Sequence, residues 1–374
     1  LVWIVLYISG AESSIFCFGI VEKNKIYLKM EEIEVKKMRV TIKDVAKKAG
    51  VSISTVSRVI NNSKPVSNEM RQRVLKVIEE TGYVPNPVAR SLVMKKSQFI
   101  GVVVPDISNS FIGEILNGIE EIGKIYGYDI LLCNTYGNME QELRYIQLLG
   151  AKQVEGIVFM TWKLQDDLVE YLTNIDIPIV LINRNTSKMT IPSVSIDNFQ
   201  AAYEMTCYLI RKGHRKIALI QNSLDQNTFG LDQYKGYQKA LEEHGIALDR
   251  KLIRYGNFKL ENSYKIMKDF IQEKIPVTAV FATSDMMAIG AINCLLDHGY
   301  RVPEDVSVVG FHDIKLASIY RPNLTTIHQP LYDIGAVAIR MIIKKINQEE
   351  IDDDIVILPH KLIERASSGE APKK

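Results

Sequence analysis

The side chains best suited to catalysis or metal binding are scattered along this chain. Six histidines, His214, His244, His298, His312, His328 and His360, stand far apart, none with a nucleophile beside it or a partner at metal-ligand spacing. The four cysteines, Cys17, Cys133, Cys207 and Cys294, form no CxxC pair, so neither a zinc site nor a disulfide framework is indicated. Buried thiols in a reducing cytoplasm are the simpler reading. GxGxxG and P-loop patterns are absent. The residues point to no enzyme, no cofactor and no metal. What is concentrated is positive charge. Between Met38 and Gln98 stand twelve Lys and Arg against four acids, a local charge of +8 in a chain of net +2, which leaves −6 for the rest. A basic head on a mildly acidic body is suited to neutralising the phosphates of a polyanion.

The elements that must carry this charge are legible locally. The chain has 374 residues, 47% hydrophobic and 24% charged, which is the composition of a globular protein with room for two or three domains. Thr41-Ile42-Lys43-Asp44 reads as a capping box opening a helix with Val45, Ala46 and Ala49 on one stripe. Gly50-Val51 turns the chain, and Ser52 caps a second helix with Val56, Val59 and Ile60 inward. Ser67 caps a third with Val74, Val77 and Ile78 inward, and Gly82 ends it. Asn86 and Pro87 then open a helix of under two turns, too short to hold without support because nucleation outweighs its few hydrogen bonds.

From Phe99 onward, short β-branched runs at 100–104, 129–133, 156–159, 179–182, 217–220, 278–282 and 306–310 alternate with amphipathic helical stretches. That order predicts parallel sheets covered on both faces. The segment exceeds one such sheet, so two α/β lobes flanking a cleft are expected, with ligands at strand C-termini. The first twenty residues are apolar but interrupted by Gly10, Glu12, Ser13 and Ser14. They lack a basic leading segment and the longer clean run of a membrane span. Residues 1–37 are therefore expected to be disordered or translated upstream sequence, with a membrane anchor as the alternative.

The stretches Thr41-Ile42-Lys43-Asp44-Val45-Ala46, Ala49-Gly50-Val51-Ser52 and Thr55-Val56-Ser57-Arg58-Val59-Ile60-Asn61, followed by Gly82-Tyr83, Pro85-Asn86 and Ala89-Arg90-Ser91-Leu92, resemble the LacI/GalR family of bacterial regulators. The resemblance runs to about Pro359-His360. It implies a helix-turn-helix domain at 38–86 and a hinge helix with linker at 87–98. It further implies a two-lobed, periplasmic-binding-protein-like body, with one lobe at 99–195 and 328–350, the other at 196–327 and 351–367, and a tail at 368–374. In such a head the second helix enters the major groove of a pseudo-palindromic operator, bound by a homodimer. Ile53, Ser54 and Arg58 are the exposed positions there. Arg58 can donate two hydrogen bonds to a guanine edge, worth about 1–3 kcal/mol of discrimination, and Ile53 can touch a thymine methyl. Lys43, Thr55 and Ser57 are phosphate contacts that position the head, and Thr41 and Asn61 complete the set. In the hinge, headed by Asn86, the resemblance makes Leu92 a minor-groove wedge, Ala89 a close-approach residue and Arg90 a phosphate neighbour.

The same resemblance places Asp106, Ser108, Phe111, Arg184, Asp285 and Asp313 around an effector cleft. The sequence departs from the family there: Gln233 stands where an Arg usually precedes the Gly236-Tyr237 pair, and Ser284 where an Asn precedes the Asp. A sugar clamp has thereby lost two polar groups. The stretches Pro105-Asp106-Ile107-Ser108, 152–160, 329–338 and Leu358-Pro359-His360 are similar to the carbon-catabolite branch of the family. That likeness implies a serine-phosphorylated phosphocarrier protein as corepressor, bound through Tyr332, Asp333 and Arg340. Ile334, Val337, Ala338 and Met341 form an inward stripe, which leaves those three outward. Asp333 and Arg340 lie roughly 10 Å apart along the axis. The plain alternative for them is a solvated helix face. Two other functions compete: a repressor of a local operon sensing a small sugar or nucleobase, and a solute-binding protein, which the basic head argues against. No heptad pattern follows Arg365, so a dimer is expected rather than a tail-assembled tetramer.

Overall fold

The computed structural model describes residues 2–9, 14–22 and 25–33 as strands, and residues 40–61, 64–83, 97–183, 191–222, 230–351 and 353–373. The chain divides into two compact units, Leu1–Met94 and Lys95–Lys374.

In the first unit, strands Val2–Ser9, Ser14–Glu22 and Lys25–Ile33 form a three-stranded antiparallel sheet. The expectation of a segment without ordered elements does not describe these residues. Their runs of β-branched and aromatic residues have strand propensity. Three helices follow: α1 (Ile42–Ala49), α2 (Ile53–Asn61) and α3 (Asn68–Thr81). Each begins on the predicted cap. The Asp44 amide donates to Thr41 Oγ1 at 3.4 Å, and the Thr41 amide donates back to Asp44 Oδ2 at 2.9 Å. The Thr55 amide donates to Ser52 Oγ at 3.2 Å, and that of Met70 to Ser67 Oγ at 3.4 Å. Gly50 and Gly82 take left-handed φ of 66° and 62°, which a glycine adopts without steric cost. Val45, Ala46, Ala49, Val56, Val59, Val74 and Val77 form the buried core, each valine contributing about 1.5–3 kcal/mol by leaving water.

Among the described residues the second unit holds two six-stranded sheets. The first-lobe sheet runs Ile355–Leu358, Ser193–Ile196, Ile179–Ile182, Gly156–Phe159, Phe99–Val104, Asp129–Asn134, all parallel. The second-lobe sheet runs Ile253–Tyr255, Ile217–Gln221, Ala279–Ala282, Ser307–His312, Thr325–His328, Lys361–Ile363, and only the last strand is antiparallel.

Two expected boundaries need correction. Ile355–Leu358 pairs with Ser193–Ile196, so 351–358 belong to the first lobe and the chain crosses over at Pro359-His360. The segment from residue 368 is no loose tail. Ser368 is buried with its hydroxyl 2.8 Å from that of Tyr208, and the Ala371 amide donates to the Lys212 carbonyl at 2.7 Å.

The helix Leu331–Ile346 packs on Ser110–Ile125 through two glycines. A Cβ on Gly118 would lie 2.1 Å from the Tyr332 carbonyl oxygen, and one on Gly335 2.0 Å from that of Ile115. Only bare backbone lets the helices approach this closely.

Candidate functional site

The residues expected to meet DNA centre on α2. Ile53 is 45% exposed, unusual for a large apolar side chain opening a helix, and Ser54 and Arg58 are exposed beside it. Thr55 and Ser57 are half-buried. The Ser52 hydroxyl lies 2.7 Å from that of Ser54 and 2.9 Å from that of Thr55, so three hydroxyls cluster at the helix N-terminus. A helix N-terminus bearing hydroxyls favours an anion. Lys43 is exposed on α1. The Thr41 hydroxyl is committed to Asp44, to which it donates at 2.7 Å, and these bonds hold the Asp44 carboxyl below its ordinary range. The side chain of Asn61, and Asn86, Ala89, Arg90 and Leu92, lie outside the described residues.

Between the lobes lies a cavity of about 670 Å³, with Asp106, Ser108, Trp162 and Lys163 on one side and Asn222, Phe258, Lys259 and Glu261 on the other. Ser108 turns inward on its own loop, its hydroxyl donating to Asp106 Oδ1 at 2.7 Å and its amide at 3.0 Å. The other expected cleft residues that are described take different places. Phe111 is buried and stacks on His312, the centroids 4.2 Å apart. Asp285 is fully buried and accepts from the Thr326 hydroxyl at 2.5 Å and the Ile314 amide at 2.8 Å. Its removal from water pushes its pKa up to about 7. Asp313 accepts from Arg365 at 2.7 Å and pairs with His328 at 3.1 Å. Gln233 is buried, and neither of its amide atoms has a partner among the described residues. Arg184 lies outside the described residues.

The sequence reading missed a row of neutral polar groups. Gln221, Thr283, His312 and Gln329 end or follow adjacent second-lobe strands, linked by the Thr283 amide to Ile220 at 2.9 Å and the Gln329 amide to His312 at 3.3 Å. Each is buried with at least one polar atom that has no partner among the described residues. Burial pushes the His312 pKa down to about 3, so its ring is neutral. A signal existed, because each is a polar residue just where an apolar run stops, and strand C-termini are where such folds hold ligands.

On the helix Leu331–Ile346, Ile334, Ala338 and Met341 are buried and Val337 half-buried, while Asp333 and Arg340 are exposed. Tyr332, 38% exposed, points outward too. Its hydroxyl donates to Glu121 Oε2 at 2.9 Å, and that carboxylate holds the phenol above its ordinary pKa. Glu121, from the packed helix Ser110–Ile125, is a residue of this face that the sequence did not single out.

Residues 97–366 match the periplasmic binding proteins and sugar binding domain of LacI family, and residues 41–86 match the bacterial regulatory proteins, lacI family. The chain is 43% identical over 331 residues to the HTH-type transcriptional regulator RegA of Clostridium saccharobutylicum, across 88% of this chain and 100% of that protein. It is 40% identical over 331 residues to catabolite control protein A of Priestia megaterium, with the same coverage of 88% and 100%. Among solved structures it is similar to the lac repressor dimer bound to operator and the anti-inducer ONPF, with a TM-score of 0.81 and 26% identity over 88% of this chain and 99% of that one. It is also similar to transcription regulator CcpA of Lactococcus lactis, with a TM-score of 0.67 and 32% identity over 72% and 98%. Among the described residues no helix is long and apolar enough to cross a membrane. With a basic helix-turn-helix head, a body of two parallel-sheet lobes and both parts matched, the chain belongs to the LacI family and is a DNA-binding transcriptional regulator.

Proposed function

We propose that this regulator works in carbon catabolite control, binding a pseudo-palindromic operator as a homodimer with a serine-phosphorylated phosphocarrier protein as corepressor. The observation that carries this reading is the outward face of the helix Leu331–Ile346. There Tyr332, Asp333 and Arg340 are exposed together beside Glu121, while the opposite face is locked into the lobe. Arg340 offers a planar fork suited to a phosphoryl group. Glu121 fixes the Tyr332 ring, which lowers the entropy lost when a partner docks. The likeness to catabolite control protein A supports the same assignment. Corepressor binding favours the lobe arrangement competent for DNA and raises operator affinity by linkage.

On the DNA side, Arg58 reads a guanine edge and Ile53 a thymine methyl. Thr41, Lys43, Ser54, Thr55, Ser57 and Asn61 hold the head on the backbone and groove edge. Asn86, Ala89, Arg90 and Leu92 act through the hinge, where Leu92 wedges into the minor groove.

A second reading is a repressor of a local operon answering to a small sugar or nucleobase. The cavity of about 670 Å³ and the unpartnered amides of Gln221 and Gln233 favour it. One titration separates the two: operator binding is measured alone, with the phosphorylated carrier, and with sugars and purines. The first reading expects enhancement by the carrier in wild type and none in Arg340→Ala, with basal binding retained. Enhancement or release by a sugar or purine, with no effect of the carrier, would establish the second.

A further inference from the structure

The rings that meet in the interlobe cleft come from opposite lobes. Phe111 sits in the first turn of the first-lobe helix Ser110–Ile125 and lies face to face with His312, the last residue of the second-lobe strand Ser307–His312. Their centroids are 4.2 Å apart and their planes 8° from parallel. Trp162, just beyond the first-lobe strand Gly156–Phe159, lies over Phe258 of the second lobe at 4.5 Å and 27°. Phe111 also meets Trp162 at 6.1 Å and Phe258 at 6.3 Å, so the four rings form one cluster. Phe111, Phe258 and His312 are all but inaccessible to water.

The lobes can part only by exposing these faces. Stacked and tilted aromatic pairs at such separations are favourable beyond the area they bury. His312 strengthens the argument in two ways. Its ring is uncharged in this burial, so stacking it on Phe111 desolvates no charge. Its backbone φ of 110° lies where side-chain-bearing residues are rarely found, and such a conformation persists only where the surroundings over-determine it.

We propose that Phe111, Trp162, Phe258 and His312 form an intrinsic latch, in which the chain's own rings hold the two lobes closed. Closure is then the resting state of the body, set by the sequence and reached without a small molecule in the cleft.

The test uses the full chain with Trp3→Phe, which leaves Trp162 as the sole tryptophan of the two. Acrylamide quenching of its fluorescence and the radius of gyration from small-angle X-ray scattering report lobe opening. Circular dichroism verifies folding. His312→Gly removes the ring while suiting the positive φ, so loss of the ring is separated from backbone strain. His312→Phe keeps the stacking face. Wild type and His312→Phe are expected to show weak quenching that sugars and purines leave unchanged. His312→Gly is expected to show severalfold stronger quenching and a larger radius. Identical quenching and radius in wild type and His312→Gly would overturn the latch. So would a wild-type Trp162 that is openly quenched until a small molecule protects it.

Discussion

Asp285 and His312 sit at the same edge of the second-lobe sheet and respond to pH in opposite senses. Burial raises the Asp285 pKa from 3.8 to about 7, so between these values the folded state keeps a proton that the unfolded chain has lost. Its contribution to stability falls as pH rises through that window, by about 1.4 kcal/mol per unit. Burial lowers the His312 pKa from 6.5 to about 3, so there the unfolded chain holds the extra proton and stability rises with pH, at about the same slope. From roughly pH 4 to 6.5 the two oppose each other. Asp285→Asn should therefore unmask a rise in stability with pH across that window, and His312→Phe a fall, read as urea midpoints at pH 4, 5 and 6. Curves parallel to wild type in both variants would contradict these environments. In the head, Arg58→Ala should weaken binding to the preferred operator by about 1–3 kcal/mol while binding to random duplex changes less. Equal losses on both would reduce Arg58 to a phosphate contact. Neither burial of Asp285 nor the stacking of Phe111 was legible in the sequence. An Asp after a strand reads as a cleft residue, and only the long-range approach of Thr326 and Ile314 turns it inward.

Elements whose signals are local were the ones the sequence placed well. The caps at Thr41, Ser52 and Ser67 and the turns at Gly50 and Gly82 depend on residues within four positions of each other, as do the helices they bound. Strands made by pairing alone were missed. Ser193–Ile196 and Thr325–His328 are four residues each and rich in Ser and Thr, and both are sheltered by neighbours on either side of the sheet. The lobe that holds Ile355–Leu358 is likewise decided by which edge it meets, which no local pattern records. The contact between Leu331–Ile346 and Ser110–Ile125 offers a test at this scale. Gly335→Ala would drive its methyl onto the Ile115 carbonyl, so the helices must move apart and stability should fall by about 1–3 kcal/mol. Because Tyr332 reaches Glu121 across the same contact, carrier binding should weaken alongside. A variant as stable as wild type would mean the helices are not held as close as described.

At the scale of the molecule, the basic head and the two α/β lobes were legible because charge concentration, helix caps and alternating β-branched runs agree with one another. The division of labour within the body was not. Of the six expected cleft residues that are described, only Asp106 and Ser108 line the cavity, while the outward helix face keeps its three expected side chains exposed. With the switch proposed on the outer surface of the body, its coupling to DNA is thermodynamic. Such coupling is reciprocal: whatever factor the phosphorylated carrier adds to operator affinity, the operator must add to carrier affinity. The most direct measurement is the dissociation constant of the serine-phosphorylated carrier for the wild-type regulator, alone and saturated with operator. Tighter carrier binding on operator is expected, by the same factor found in the operator titration, with no such gain in Arg340→Ala. A carrier that binds the operator complex no more tightly than the regulator alone would contradict this coupling.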